Sequence, residues 1–457
     1  MGNPFKSHIT DRSPALKRWN ACYIGPMSSD RLDERNDRSW EWALFLLVSL
    51  CVLHSAWLLN YVEPYEFLRA GSDDIGYYQW LPSVFVDHQV DYMYWCHKVA
   101  DGKALSMYTM GVALLQLPFY GLGYLFASGL GYPEDGFSPP YAVANMACTA
   151  VYVGMGCVLA FRLARRFSTS ESALISVVVL FAATNLFYYS VYEPGYSHAF
   201  SFFLIALFCY TGVRVQESVR PIHVVAWVLS GSMLVLVRQL NIIVFLFPLI
   251  LAWRSSNGLR GFVGQLGRHR GVFLTALGIA LIPWILQMTY WYHITGNAFT
   301  FTYGVKGEHF EWDKMVPGMV LFSVRNGWLV FTPIVLPILI TLVVHAWRGT
   351  QAARSILLIT TISCLLYSAW WCWWLGSSFG GRGFIDLYAL LAIPLAWLIR
   401  SVLERPWSAR VATGLFFYAC ITLNFGLMER FQWQWSWGDL TWQGLFYHIS
   451  CIIAGKC

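Results

Sequence analysis

A chain of 457 residues that is 57% hydrophobic and 17% aromatic, with only 12% of its residues charged, has too few charges to cover a water-soluble surface. Its formal net charge of +6 does not point to nucleic acid, because Lys and Arg stand in short clusters between apolar runs, where they mark cytoplasmic loops. Composition therefore specifies a polytopic membrane protein, excludes nucleic acid as a partner and makes membrane lipid the surroundings.

Residues 1–40 are polar and rich in Arg, Asp and Ser, with no apolar core of the kind a signal peptide has, and read as a cytoplasmic tail. The first span is expected over 42–61, within a segment 41–61, so that the following stretch 62–138 lies outside. That outer segment holds the acidic motif and an apolar stretch 106–129 broken by Pro118, read as a helix in or dipping into the outer interface. The next true span is 140–163, which leaves Arg162, Arg165 and Arg166 inside. Further spans are expected at 172–190, 197–213, 222–237, 240–253, 271–292, 319–347, 355–374, 384–399 and 411–428, and each later basic cluster then falls on the cytoplasmic side. The result is an all-α transmembrane bundle of about eleven spans with interfacial helices in the first outer loop. Its main body is 139–428, and the aromatic tail 429–457 is outside, with Trp433, Trp435, Trp437 and Trp442 suited to an interfacial belt and 443–455 apolar enough to dip. Eleven cysteines, without CxxC spacing, read as small buried hydrophobes.

This topology gathers the unusual polar residues at the outer face. Asp73 and Asp74, in the Gly-bounded stretch Gly71 to Tyr78, are adjacent carboxylates, and a carboxylate held against an apolar wall gains basicity. A solvated loop pair is the plainer alternative. Glu193 and His198 flank the Pro194-Gly195 turn, where they suit hydroxyl binding, acid and base roles or a share in a metal site, or His198 a helix cap. Arg238 interrupts two short apolar runs, as a phosphate ligand or an interfacial anchor. Arg325 and Arg382 each head a span, and Gly380-Gly381 beside Arg382 permits close approach of an anion; an Arg382 to Asp386 ion pair one helical turn apart is the structural alternative. Trp370 to Trp374 offers an aromatic wall for a lipid chain. Lys306, Glu308, His309 and Glu311 share a loop over 293–317 without a known metal-ligand spacing, so no metal ligands are assigned.

Taken together, Asp73-Asp74, Tyr108-Thr109-Met110-Gly111, Glu193 to His198, the Arg238 break, Arg325-Asn326-Gly327-Trp328 and Gly380-Gly381-Arg382 to Asp386 resemble the GT-C superfamily of polytopic glycosyltransferases. The likeness is to bacterial relatives of the protein O-mannosyltransferase and aminoarabinose transferase group, and it covers most of the chain after residue 40. The resemblance implies a sugar donor carried on a polyprenyl phosphate and a first-loop carboxylate, Asp73 or Asp74, acting as general base toward an acceptor hydroxyl with inversion. Arg382, Arg325, Arg238 and Lys306 are then expected at the donor phosphate, and Glu193, His198, Tyr77 and Asp386 at the sugar or acceptor. No cofactor is required, although the paired carboxylates leave room for a divalent metal. Mannose, aminoarabinose, galactose and glucose stay open as the sugar, and a lipid, a glycan or a protein as the acceptor. The expected location is a bacterial inner membrane with the site facing the periplasm. The rival expectation is a transporter or flippase of lipid-linked sugars without covalent chemistry, which predicts two related halves and charges near the midplane.

Overall fold

In hydrocarbon a backbone must satisfy its own polar groups, and here it does so with helices. The computed structural model describes residues 31–59, 68, 73–255, 258–431 and 440–455. The chain divides into Met1–Trp42, whose described part is the polar start of helix α1 (Arg31–Leu59), and Ala43–Cys457. The second unit continues with α2 (Asp73–Tyr78), α3 (Trp80–Phe85), a small antiparallel hairpin of β1 (His97–Ala100) and β2 (Lys103–Leu105), α4 (Gly111–Leu130), α5 (Pro139–Ala164), α6 (Ser170–Ala183), α7 (Leu186–Val191), α8 (Ser197–Glu217) and α9 (Pro221–Val237). A 3-10 segment, Gln239–Phe245, leads to α10 (Leu246–Arg254), α11 (Gly258–Arg268), α12 (Arg270–Thr295), α13 (Thr302–Val305), α14 (Pro317–Phe322), α15 (Trp328–Phe331), α16 (Val335–Trp347) and α17 (Gln351–Ala369). A second 3-10 segment, Arg382–Leu387, runs into α18 (Tyr388–Leu403), followed by α19 (Trp407–Phe431) and α20 (Trp442–Ala454).

Among the described residues eight helices are long and apolar enough to cross a membrane, and a ninth span results if Gln239–Arg254 and Gly258–Arg268, bent by 104°, count as one. The chain is a multi-pass, all-α integral membrane protein. In the second unit α5 is central: Tyr152 on it donates to the Leu115 carbonyl of α4 (3.1 Å), and Gln116 donates to Asn145 (3.3 Å). On another face, Gly156 admits Phe202 and Phe203 of α8. Near the other end of the chain, Asn424 of α19 donates to the carbonyls of Ala182 (3.0 Å) and Thr184 (2.9 Å), and Trp397 of α18 to that of Phe167 (2.9 Å).

Several expected spans are broken. The 172–190 run stops at Thr184 and Asn185, where the backbone of Thr184 turns extended, and resumes as α7. The 319–347 run is three short helices, because Arg325 and Asn326 are polar, Asn326 takes φ 61° and Pro333 cannot continue a helix. Helix α17 ends at Ala369, so Trp370 to Trp374 lie beyond it. The 106–129 stretch, expected at the interface, forms α4, itself long and apolar enough to span and packed antiparallel to the first half of α5. Asp73 and Asp74 stand in the first turn of a helix rather than in a loop, where acidic side chains oppose the exposed N–H groups. The cysteine expectation is corrected twice: Cys451 is disulfide-bonded, and Cys51 is exposed. Most of the expected tail, Gly71, and Trp433 to Trp437 lie outside the described residues.

Asn326 repairs the break it creates. Its amide donates to the Trp374 carbonyl (3.0 Å) and to Ser378 Oγ (3.0 Å), fixing the loop that leads to Arg382. Replacing it by Ala removes both bonds and leaves a non-Gly residue at positive φ, so Asn326→Ala is expected to lose roughly 2 kcal/mol. That loss reads as a lower apparent Tm in detergent; an unchanged Tm means that the loop is held by other contacts.

Candidate active site

The polar residues singled out along the chain meet where four helix breaks converge. From α2 come Asp73 and Asp74, from the turn between α7 and α8 Glu193, from the start of α8 His198, from the end of α9 Arg238, and from the second 3-10 segment Arg382 and Asp386. The Asp73 carboxylate is held on both oxygens: Tyr108 donates to Oδ1 (2.5 Å) and Arg382 Nη1 lies 3.0 Å from Oδ2. Beside it, His198 Nδ1 lies 2.9 Å from Asp386 Oδ1, and Arg238 Nε lies 3.2 Å from Asp386 Oδ2. Arg238 Nη1 lies 3.1 Å from both ring nitrogens of His198, and with Nδ1–H donating to the carboxylate, Nε2 is the one left to accept.

The local backbone explains which ion pairs form. Arg382 and Asp386, four residues apart, would share a face in an α-helix, but they lie on a 3-10 segment. At three residues per turn, positions four apart are rotated by roughly 120°, against roughly 40° in an α-helix. The expected Arg382 to Asp386 alternative is thereby replaced by two pairs to other elements. Ahead of Arg382, the loop is pinned by the Phe379 N–H donating to Tyr189 Oη (3.0 Å) and by Asn185 donating to the Phe379 carbonyl (3.1 Å). Two glycines admit their neighbours: a Cβ on Gly195 would stand 2.5 Å from Asp74 Oδ1, and one on Gly76 would stand 2.2 Å from the Tyr108 ring that reaches Asp73.

The two aspartates differ in surroundings. The Asp73 side chain is 30% exposed, whereas Asp74 is only 1% exposed and is hydrogen-bonded to Glu193. Burial works to raise the Asp73 pKa, but Arg382, the Tyr108 hydroxyl, His198 and Arg238 outweigh it and hold the carboxyl below its ordinary value. For Asp74, burial is joined by the charges of Glu193 and Asp73, and the carboxyl is pushed well above its ordinary range. Burial raises Glu193 to about 7 against the help of Asp74 and Arg382. At neutral pH the site thus holds one anionic, partly exposed carboxylate and a buried, proton-sharing carboxyl pair beside it.

The remaining expected residues are placed as follows. Tyr77 is buried and donates to Ser197 Oγ (3.0 Å). Arg325 lies over the Trp374 ring at 3.7 Å, and Lys306, 45% exposed, is 3.6 Å from Glu308. Two residues that belong to the quoted motifs but were given no site role also contribute: Tyr108 bonds Asp73, and Tyr196 lies under the Arg382 guanidinium at 5.4 Å. Tyr196 sits inside the Glu193 to His198 motif and was open to notice; nothing local marks Tyr108 as a ligand of Asp73. Among the described residues no group of three or more His, Cys, Asp or Glu is arranged to hold a metal ion. The arrangement sets a carboxylate, Asp73, beside a cation, Arg382, and a second such pair, Asp386 with Arg238, next to it.

The chain matches no protein-family model and no curated protein sequence significantly.

The Glu193 shift gives a signed expectation. A carboxyl whose pKa rises on folding, here from 4.5 to about 7, makes the unfolded chain the better acid, so stability falls as pH climbs through that window. Asp73 acts oppositely, its contribution being present at neutral pH and lost as pH falls through its lowered value. Glu193→Gln is therefore expected to flatten the decline in apparent Tm between about pH 5 and pH 7. A wild-type and a variant profile that run parallel across this range would sink the proton-sharing pair.

Proposed function

We propose that the chain is a membrane glycosyltransferase of GT-C type, moving a sugar from a polyprenyl-phosphate donor to an acceptor hydroxyl with inversion. The observation that carries this reading is the partly exposed Asp73 carboxylate, braced by Tyr108 and Arg382 with a second half-buried cation, Arg238, close by. In the step, the acceptor oxygen attacks the anomeric carbon while the bond from that carbon to the phosphate oxygen breaks. The hydroxyl proton goes to Asp73, and the bond pair leaves with the prenyl phosphate, whose charge Arg382 and Arg238 meet. Of the two aspartates we assign Asp73 as the base, because Asp74 is buried behind it. Glu193 and His198, buried against Asp74 and Asp386, hold the site together rather than touch the sugar. Arg325 and Lys306 are at most auxiliary cations.

The reading includes about eleven crossings, a cytoplasmic N-terminus and a site on the outer face of a bacterial inner membrane. We assign no metal to the step, in which Arg382 is the cation that meets the phosphate directly and Arg238 adds its field. Sugar and acceptor remain to be identified by assay. The alternative, a carrier for lipid-linked sugars, draws on the helix breaks at Arg238 and at Arg325-Asn326, because interrupted helices beside buried charge also line transport sites.

Two measurements test the proposal. Purified protein in lipid is expected to consume one polyprenyl-phosphate sugar; Asp73→Asn and Arg382→Ala each lower turnover on the order of a hundredfold, and Asp74→Asn lowers it less. Loss confined to Asp74→Asn would reassign the base, and vesicle transport without consumption of any sugar lipid would establish the carrier. For orientation, a thiol reagent added outside cells is expected to label Asp101→Cys but not Arg165→Cys. The reverse pattern inverts the topology.

A further inference from the structure

Both half-buried arginines of the site are already neutralised, and the two carboxylates that do so are not equivalent. Asp386, 1% exposed, is hydrogen-bonded by His198 and lies 3.2 Å from the Arg238 guanidinium, enclosed inside the bundle. Asp73 is 30% exposed and keeps a second anchor, the Tyr108 hydroxyl at 2.5 Å, that does not depend on Arg382. Arg382, in turn, is supported by the Tyr196 ring at 5.4 Å and by its own pinned loop, so its guanidinium stays in place when its anion changes. One pair is locked and the other is exchangeable.

We infer that Asp73 is a resident anion on Arg382 that an incoming phosphate displaces, so that binding of the phosphate ligand itself frees the carboxylate for its work. The inference rests on the transferase reading for the identity of the ligand, a prenyl phosphate, but the exchange concerns any phosphate ester able to reach Arg382. A carboxylate and a phosphate compete for the same fork of N–H donors, and a phosphate can take that fork bidentately, the donor phosphodiester with one charge and two free oxygens and the released monoester with more of both. Freed from Arg382, Asp73 loses the nearest cation holding its proton affinity down and retains the Tyr108 bond that keeps it aimed. The unliganded site thereby keeps its base quenched, and the donor activates it.

The test uses binding without turnover. Decaprenyl phosphate, which carries no sugar, is titrated against the purified full chain in lipid nanodiscs, with inorganic phosphate as a second arm. Wild type is compared with Asp73→Asn, Asp73→Ser, Arg382→Gln and the combination of Asp73→Asn with Arg382→Gln. Removing the resident anion is expected to tighten decaprenyl phosphate binding about tenfold in both Asp73 variants, and the gain is expected to vanish in the Arg382→Gln background. Asp73 variants that bind no tighter than wild type overturn the exchange. An equal gain without Arg382 overturns it too, since only the general field of the site has then changed. If inorganic phosphate shows the same gain as the lipid, the exchange stands and the lipid-donor reading falls. If no form binds either phosphate, both fall. A protein that shows the Arg382-dependent gain yet consumes no sugar lipid keeps the exchange and loses the transferase.

Discussion

The charges of Arg382 and Asp73, and of Arg238 and Asp386, tolerate burial only because each finds the other across breaks in the helices. An ion stripped of water is costly by several kcal/mol unless a partner and further hydrogen bonds replace the solvent. Here the replacements are specific: Tyr108 for Asp73, His198 for Asp386 and Arg238. Everything that brings these groups together follows from that demand. The extended backbone at Arg238, the 3-10 turn at Arg382 and the admission of Asp74 beside Gly195 are the local compromises that an uninterrupted α-helix would not permit.

These compromises also create a division of labour among chemically similar side chains. Asp73 and Asp74 are neighbours in sequence, yet one faces a cation and the outside, and the other faces a second carboxyl inside. Their environments push their proton affinities apart, which is how a protein obtains an anion and an acid from the same residue type. The two arginines are separated in the same manner, by whether the aspartate beneath them has an alternative.

The class of fold was legible in composition and periodicity: apolar runs of spanning length, punctuated by basic clusters, leave a helical membrane protein as the reading. Helix interiors were read well, as at Ser197–Glu217, Arg270–Thr295 and Trp407–Phe431. The break at Arg238 is legible too, but others are not, because a run such as 319–347 is apolar on average and hides a single positive-φ asparagine that only its tertiary partners, Trp374 and Ser378, explain. Likewise the residue types of the site were visible, since intramembrane charges stand out, but their pairing was not. The sequence offered Arg382 and Asp386 as partners at α-helical spacing, and a change of helix type re-sorted them. Tyr108 illustrates the remaining limit: a tyrosine among 25 carries no mark of the carboxylate it will meet.

The order of residues in the chain gives these pairings a consequence for biogenesis. Synthesis runs from Asp73 through His198 and Arg238 to Arg382 and Asp386, so the first members enter the membrane long before their partners exist. His198 must wait through the 188 residues that separate it from Asp386. A nascent chain halted before the second 3-10 segment carries Arg238 without Asp386 and Asp73 without Arg382, in a bilayer that offers neither charge a substitute. The late-emerging Arg382–Leu403 segment is thus the keystone of insertion, and premature termination upstream of it yields a polypeptide whose charges mark it as unfinished.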